Sequence, residues 1–179
     1  MKTPKIIIGI LVSIIAANAY SQCRHAVKFE TGYLYYLDHT ITIDSEDPDW
    51  KGYKLNGQQN GIDFNMINGI SFREHYMAGI GLGYLNFEGI HGAAVFAELE
   101  YAPLKRKISP VLNIKAGYNH IWNQYETGSG SALGEIGAGI KYKVTDNISV
   151  HIQAGVLRTQ QAQFFPLRLG LGFWKHPAF

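Results

Sequence analysis

Residues 165–179 read "FPLRLGLGFWKHPAF", with Leu167, Leu169, Leu171 and Phe173 on every second position and Arg168, Gly170 and Gly172 between them. A period of two belongs to a β-strand, whose alternate side chains point to opposite faces. From Leu167 to Phe173 one face is wholly apolar, and the other offers only glycine and one arginine. Such a strand must border something greasy on one side and something polar on the other, which leaves open which side faces inward.

Seven more stretches follow the same rule. Over 26–37, Val27, Phe29, Thr31, Tyr33 and Tyr35 oppose Lys28, Glu30, Gly32, Leu34 and Tyr36. Over 61–73, Ile62, Phe64, Met66, Ile70 and Phe72 oppose Asp63, Asn65, Ile67, Gly69 and Ser71. The turn Arg73-Glu74-His75 leads to Tyr76, Ala78, Ile80, Leu82 and Tyr84 against Met77, Gly79, Gly81 and Gly83. Next, Ala93, Val95, Ala97, Leu99 and Tyr101 oppose Ala94, Phe96, Glu98 and Glu100. Leu112, Ile114, Ala116 and Tyr118 oppose Val111, Asn113, Lys115, Gly117 and Asn119. Ile136, Ala138, Ile140 and Tyr142 oppose Glu135, Gly137, Gly139, Lys141 and Lys143. Finally, Ile148, Val150, Ile152, Ala154 and Val156 oppose Ser149, His151, Gln153 and Gly155. The reading is all-β, with eight antiparallel strands in up-and-down order. The connectors "DHTITIDSEDPDWKGYKLNGQQ", "NFEGIHG", "IWNQYETGSGS" and "RTQQAQF" read as the longer set, and 73–75, "PLKRK" and the turn at Thr145 as the shorter one. Transmembrane barrels show that alternation, with short turns on the periplasmic rim. An even strand count puts both chain ends on the short-turn rim.

The start of the chain is of another kind. Lys2 and Lys5 precede "IIIGILVSIIAA", and Asn18-Ala19-Tyr20-Ser21-Gln22 follows. A basic start, a short apolar centre and small residues at the end describe a secretory signal peptide, cleaved after Ala19 or Gln22. The apolar run is shorter than the roughly 20 residues of a membrane-spanning helix. Residues 1–22 are therefore expected to be signal peptide and 23–179 the barrel domain. The only cysteine, Cys23, permits no internal disulfide, and Tyr20-Ser21-Gln22 is not the Leu-small-small approach of a lipid-acceptor cysteine. A formal net charge of +2 is too small to argue for nucleic acid, and no basic run appears, so no nucleic-acid partner is expected.

Three features orient the faces. The apolar face carries no charge, as lipid or a dry core would both demand. The polar face is rich in glycine (Gly79, Gly81, Gly83, Gly137, Gly139, Gly170 and Gly172), which weakens a solvated strand but makes room inside a narrow barrel for neighbours such as Glu98, Lys115 and Arg168. Aromatic residues gather at both ends of the apolar face: Tyr33, Tyr35, Tyr84 and Tyr118 towards one rim, and Phe72, Tyr76, Tyr101, Tyr142 and Phe173 towards the other. Amphipathic rings collect where hydrocarbon meets headgroups. The polar face is therefore expected inside and the apolar face against lipid. A secreted soluble barrel of lipocalin type, holding an apolar ligand, is the inverted alternative.

With its leader, eight amphipathic strands and aromatic-closed last strand, the chain resembles the small OmpX/OmpA-type outer-membrane barrels. The resemblance implies a Gram-negative outer membrane, contact with its lipids, and insertion by the barrel-assembly machinery. "LRLGLGF" is similar to the family's terminal insertion signal, although Trp174 to Ala178 separate Phe173 from the terminal Phe179, so either phenylalanine is a candidate.

Within such a barrel the inward set places Glu30, Asp63, Glu98, Glu100 and Glu135 with Lys28, Lys115, Lys141, Lys143 and Arg168. An eight-stranded barrel holds little more than side chains, so these charges are expected to pair into a plug, with His151 among them. Some small barrels modify lipid A, which makes His151 near Glu135, and Ser129 or Ser131 near His120, the only candidates for a nucleophile and its base. No His-x-Ser pair of the deacylase kind is present, and no catalytic residue is assigned. Asp38, His39, Asp44, Glu46, Asp47 and Asp49 form an acidic stretch without the ligand order of a calcium loop. Neither a metal nor a cofactor is expected. Trp50, Tyr53 and Trp122 are candidate contact residues for a protein or surface partner, in loops placed at 38–60, 119–131 and 158–164.

Overall fold

The computed structural model describes residues 23–39, 60–87, 90–122, 128–159 and 162–175. These form eight strands: β1 Cys23–His39, β2 Gly61–Phe72, β3 Tyr76–Phe87, β4 Ile90–Tyr101, β5 Ile108–Trp122, β6 Ser129–Lys143, β7 Ile148–Arg158 and β8 Ala162–Lys175. Each pairs antiparallel with its sequence neighbours, and β1 closes on β8 from His25↔Lys175 to His39↔Ala162, giving a closed barrel. Closure removes the edges that an open sheet would expose, so the ladder satisfies the backbone on every side. The shortest strand, β7, has 11 residues, enough to cross a bilayer when tilted.

The side-chain alternation settles which face is which. Ile114, Ile152 and Leu169 are 53%, 50% and 56% exposed on the outer wall, whereas Lys115 and Arg168 are 2% and 3% exposed inside. A soluble barrel would reverse this pattern. The inverted, lipocalin-like alternative is therefore overturned: apolar side chains clothe the barrel and polar ones fill it.

Strand ends depart from expectation at one rim. The segment "NFEGIHG" is mostly strand, since β3 runs to Phe87 and β4 starts at Ile90. Likewise β5 reaches Trp122, β6 begins at Ser129, and β7 and β8 leave only 159–161 between them. The segments 119–131 and 158–164 are thus largely strand ends rather than loops. The cause is visible in packing: Leu34, Leu85, Phe87, Ile121, Leu133, Leu157 and Phe164 point inward and bury one another. Alternation therefore continues through residues whose composition looks loop-like. Long and short connectors no longer alternate strictly, because 102–107 is longer than 88–89. The long connector from β1 to β2 still marks one rim, and the ends of β1 and β8 lie on the other.

At that second rim the β2–β3 turn holds Arg73 and Glu74 at φ 53° and 62°. Non-glycine residues enter the left-handed region at a cost of roughly 1 kcal/mol or more each. The turn points Glu74 at Arg24 Nη2 (2.9 Å) and Lys143 Nζ (3.3 Å), tying the turn to β1 and β6 across the mouth.

The leader at 1–22, Phe179, the acidic residues Asp44, Glu46, Asp47 and Asp49, and Trp50 and Tyr53 lie outside the described residues. The side chain of His39 does too.

Candidate functional site

The lumen is where the chain concentrates its chemistry. Lys28 of β1 is fully buried at the centre. Its Nζ meets Glu98 at 2.6 Å, Glu100 at 2.7 Å and Glu30 at 3.1 Å. Lys141 of β6 also bonds Glu100, and Lys115 of β5 also bonds Glu30. Lys115 lies 3.8 Å from Glu135, which Arg168 of β8 binds through Nη1. Arg168 Nε then donates to Asp63 of β2 at 2.9 Å. The partners form one unbroken ladder: Lys141, Glu100, Lys28, Glu30, Lys115, Glu135, Arg168, Asp63. Glu98 branches from Lys28, and His151 Nε2 branches from Glu30 at 3.1 Å.

Seven strands contribute a charged or histidine side chain to this ladder; β3 offers Met77 and glycines instead. A Cβ at Gly81 would overlap the Phe96 ring, which turns its face to Lys115 Nζ at 5.4 Å. On β8, a Cβ at Gly170 would strike His151. The inward glycines make room for large neighbours, as expected, but chiefly for Phe96, His151, Trp174 and the stem of Arg168 rather than for Glu98 and Lys115.

Two expected placements need correction. Lys143 is not a lumen residue. It sits at the mouth with its side chain 33% exposed, between Glu74 and Asp146, because the strand end carries its ammonium into solvent. His151 does not meet Glu135; its register partners are Lys141 on β6 and Gly170 on β8, and its ring reaches across to Glu30. Glu30, Asp63, Glu98, Glu100, Lys115, Glu135, Lys141, His151 and Arg168 all lie inside.

Ser131 and His120 do not converge, and the side chain of Ser129 lies outside the described residues. Ser131 is buried inside and its Oγ donates to Asn119 Oδ1. His120 belongs to the opposite, outward set of β5, where its ring packs edge-on against Trp122 with centroids 4.9 Å apart. Trp122 is exposed on the same outer face.

Above and below the charged ladder are two layers that sequence reading did not assign. At the long-connector rim, Tyr36 and Phe87 flank Phe164 edge-to-face, with ring centroids 5.9 and 4.9 Å away. These rings join Leu34, Leu85, Ile121, Leu133 and Leu157 in an apolar cork. The signal was present in the parity of those positions and was hidden by ending the strands early. At the other rim Trp174 turns inward beneath Lys141, whose Nζ lies 5.1 Å from the ring. Phe173 points outward and packs edge-on against Phe29 at 6.3 Å.

Among solved structures, the chain is similar to the crystal structure of Neisserial surface protein A (NspA), at a TM-score of 0.60 and 11% identity, covering 83% of this chain and 96% of that one. The fold is that of the small outer-membrane β-barrels. The N-terminal β-barrel domain of Pseudomonas aeruginosa OprF is similar too, at a TM-score of 0.55 and 15% identity, covering 86% of this chain and 99% of that one. At these identities the likeness is one of fold. No protein-family model and no curated protein matches the chain. The outer-membrane-barrel fold accounts for the outward apolar belt, and the lumen residues above are this chain's own filling of it.

Proposed function

We propose that the chain is an integral outer-membrane protein of a Gram-negative bacterium, delivered by a signal peptide at 1–22, with a structural or surface-interaction role and a closed interior. The sidedness of the wall carries this reading. A belt of exposed Leu, Ile, Val, Phe and Tyr side chains encircles a lumen of buried ion pairs. In water such a belt would drive aggregation; against acyl chains it is the stable arrangement.

The interior reads as structural filling rather than a conduit. Side chains of the ladder cross the lumen, and the apolar cork lies over it. Two cavities on the lumen side fit this view: the one at the short-turn mouth has about 60 Å³, and the one between Asp63, Phe96, Glu135 and Arg168 only about 10 Å³. A single water needs roughly 10–15 Å³ by this measure. Contact with outer-membrane lipids follows from the belt. Phe173, on the outer face near the end of β8, and the terminal Phe179 are the candidates for reading by the barrel-assembly machinery. The connector 40–60 is the candidate surface for a protein partner.

Planar-bilayer recording tests the closed interior. The pure, folded monomer is expected to give no stable high-conductance channel. Long-lived openings of nanosiemens size would contradict the reading.

A further inference from the structure

The short-turn rim has a charge that its lumen does not require. Arg73, Lys105, Arg106, Lys107 and Lys175 are all exposed there. The two acids of the same rim are already engaged, Glu74 by Arg24 and Lys143, and Asp146 by Lys143. No carboxylate among the described residues pairs with Lys105, Arg106, Lys107 or Lys175. The opposite rim differs in composition: connector 40–59 carries Asp44, Glu46, Asp47 and Asp49 against Lys51 and Lys54.

The position of these bases matters more than their number. Lys107 Nζ lies 5.3 Å over the ring of Tyr142, and the Arg73 guanidinium lies 5.0 Å over the ring of Phe72. Both rings belong to the outward set, so both cations sit on the lipid side of the wall, level with the aromatic girdle. Leu104, Ile108 and Val144 add exposed apolar side chains beside them. The bases come from the β2–β3 turn, the β4–β5 connector and the end of β8; Lys105 and Arg106 also line the cavity at the short-turn mouth, whereas Arg73 and Lys107 lie over outward rings. A ring of cations just above an apolar belt meets phosphate groups whose acyl chains already lie against that belt.

We propose that this rim is a collar that binds the headgroups of anionic phospholipids in the periplasmic leaflet. The assignment rests on the outer-membrane reading above. The test uses the full barrel reconstituted in phosphatidylcholine vesicles containing spin-labelled phosphatidylglycerol or spin-labelled phosphatidylcholine. The motionally restricted fraction is then compared between labels. The expected result is a several-fold preference for phosphatidylglycerol at low ionic strength, largely lost in 0.5 M sodium chloride. Lys105→Gln/Arg106→Gln/Lys107→Gln should reduce that preference by roughly fivefold while leaving the folded gel band unchanged. Inorganic phosphate at matched ionic strength should compete no better than chloride. Equal restriction of both labels, full preference in the triple variant, or specific displacement by phosphate would each overturn the proposal. Failure of the outer-membrane reading is a separate result, in which the protein does not enter the vesicles and restricts neither label.

Discussion

Lys28→Met should lower the stability of the barrel by about 3–5 kcal/mol, the usual cost of removing one member of a buried ion pair. The side chain is nearly the same length, so the loss is electrostatic rather than steric. Without the ammonium, Glu30 still has Lys115 and Glu100 still has Lys141. Glu98 has no other cation within ion-pair distance among the described residues, and its Oε2 has no hydrogen-bond partner. A carboxylate left alone in a buried lumen is the source of the penalty. Glu98→Gln should therefore cost much less on its own, since Lys28 keeps Glu30 and Glu100. Combined with Lys28→Met it should recover part of the loss. Urea unfolding in lipid vesicles, followed by heat-modifiable gel migration, gives the three values of the double-mutant cycle. Equal costs for Lys28→Met and Glu98→Gln, with simple additivity, would show that the two do not act as a pair.

Leu169→Arg should cost about 2–4 kcal/mol, the penalty for a cation on the lipid face near the bilayer midplane. Leu169 lies midway along β8, between Thr31 and Ile152 on the flanking strands, and faces outward. His25→Arg on the same outer face, paired with Lys175 at the rim, should cost only about 0–1 kcal/mol, because the headgroup region solvates the charge. Unfolding titrations of the two variants in the same vesicles measure the difference. Were the outer wall in water, both substitutions would fall within about 0.5 kcal/mol of the parent.

The facing of residues along each strand was legible in the sequence because a period of two admits only two answers. Glycine on the polar face then chose between them. Which residues face inward followed directly; how deep they lie and which of them touch did not. Contacts across a closed barrel depend on how far successive strands slide past one another. His151 was accordingly placed beside Glu135 on the next strand, while its ring lies against Glu30 on the far side of β8. The apolar cork escaped notice for a different reason: Asn86, His91 and the glycines near 128–130 look like loop, and their inward neighbours Leu85, Phe87 and Ile121 were read with them. Lys143 was assigned by parity alone, which says nothing of depth. The basic collar was invisible because barrel closure assembles it from separate segments, none of them a long run of charge.

Fluorescence quenching at Leu169 tests the central claim, the sidedness of the wall. In a Cys23→Ser background, Leu169→Cys is labelled with a small fluorophore and the folded protein is placed in bilayers. Lipids carrying a nitroxide near the acyl-chain terminus should quench the label strongly, and aqueous iodide should have almost no effect. Strong iodide quenching with no response to the nitroxide lipids would mean that this face meets water, which contradicts the account.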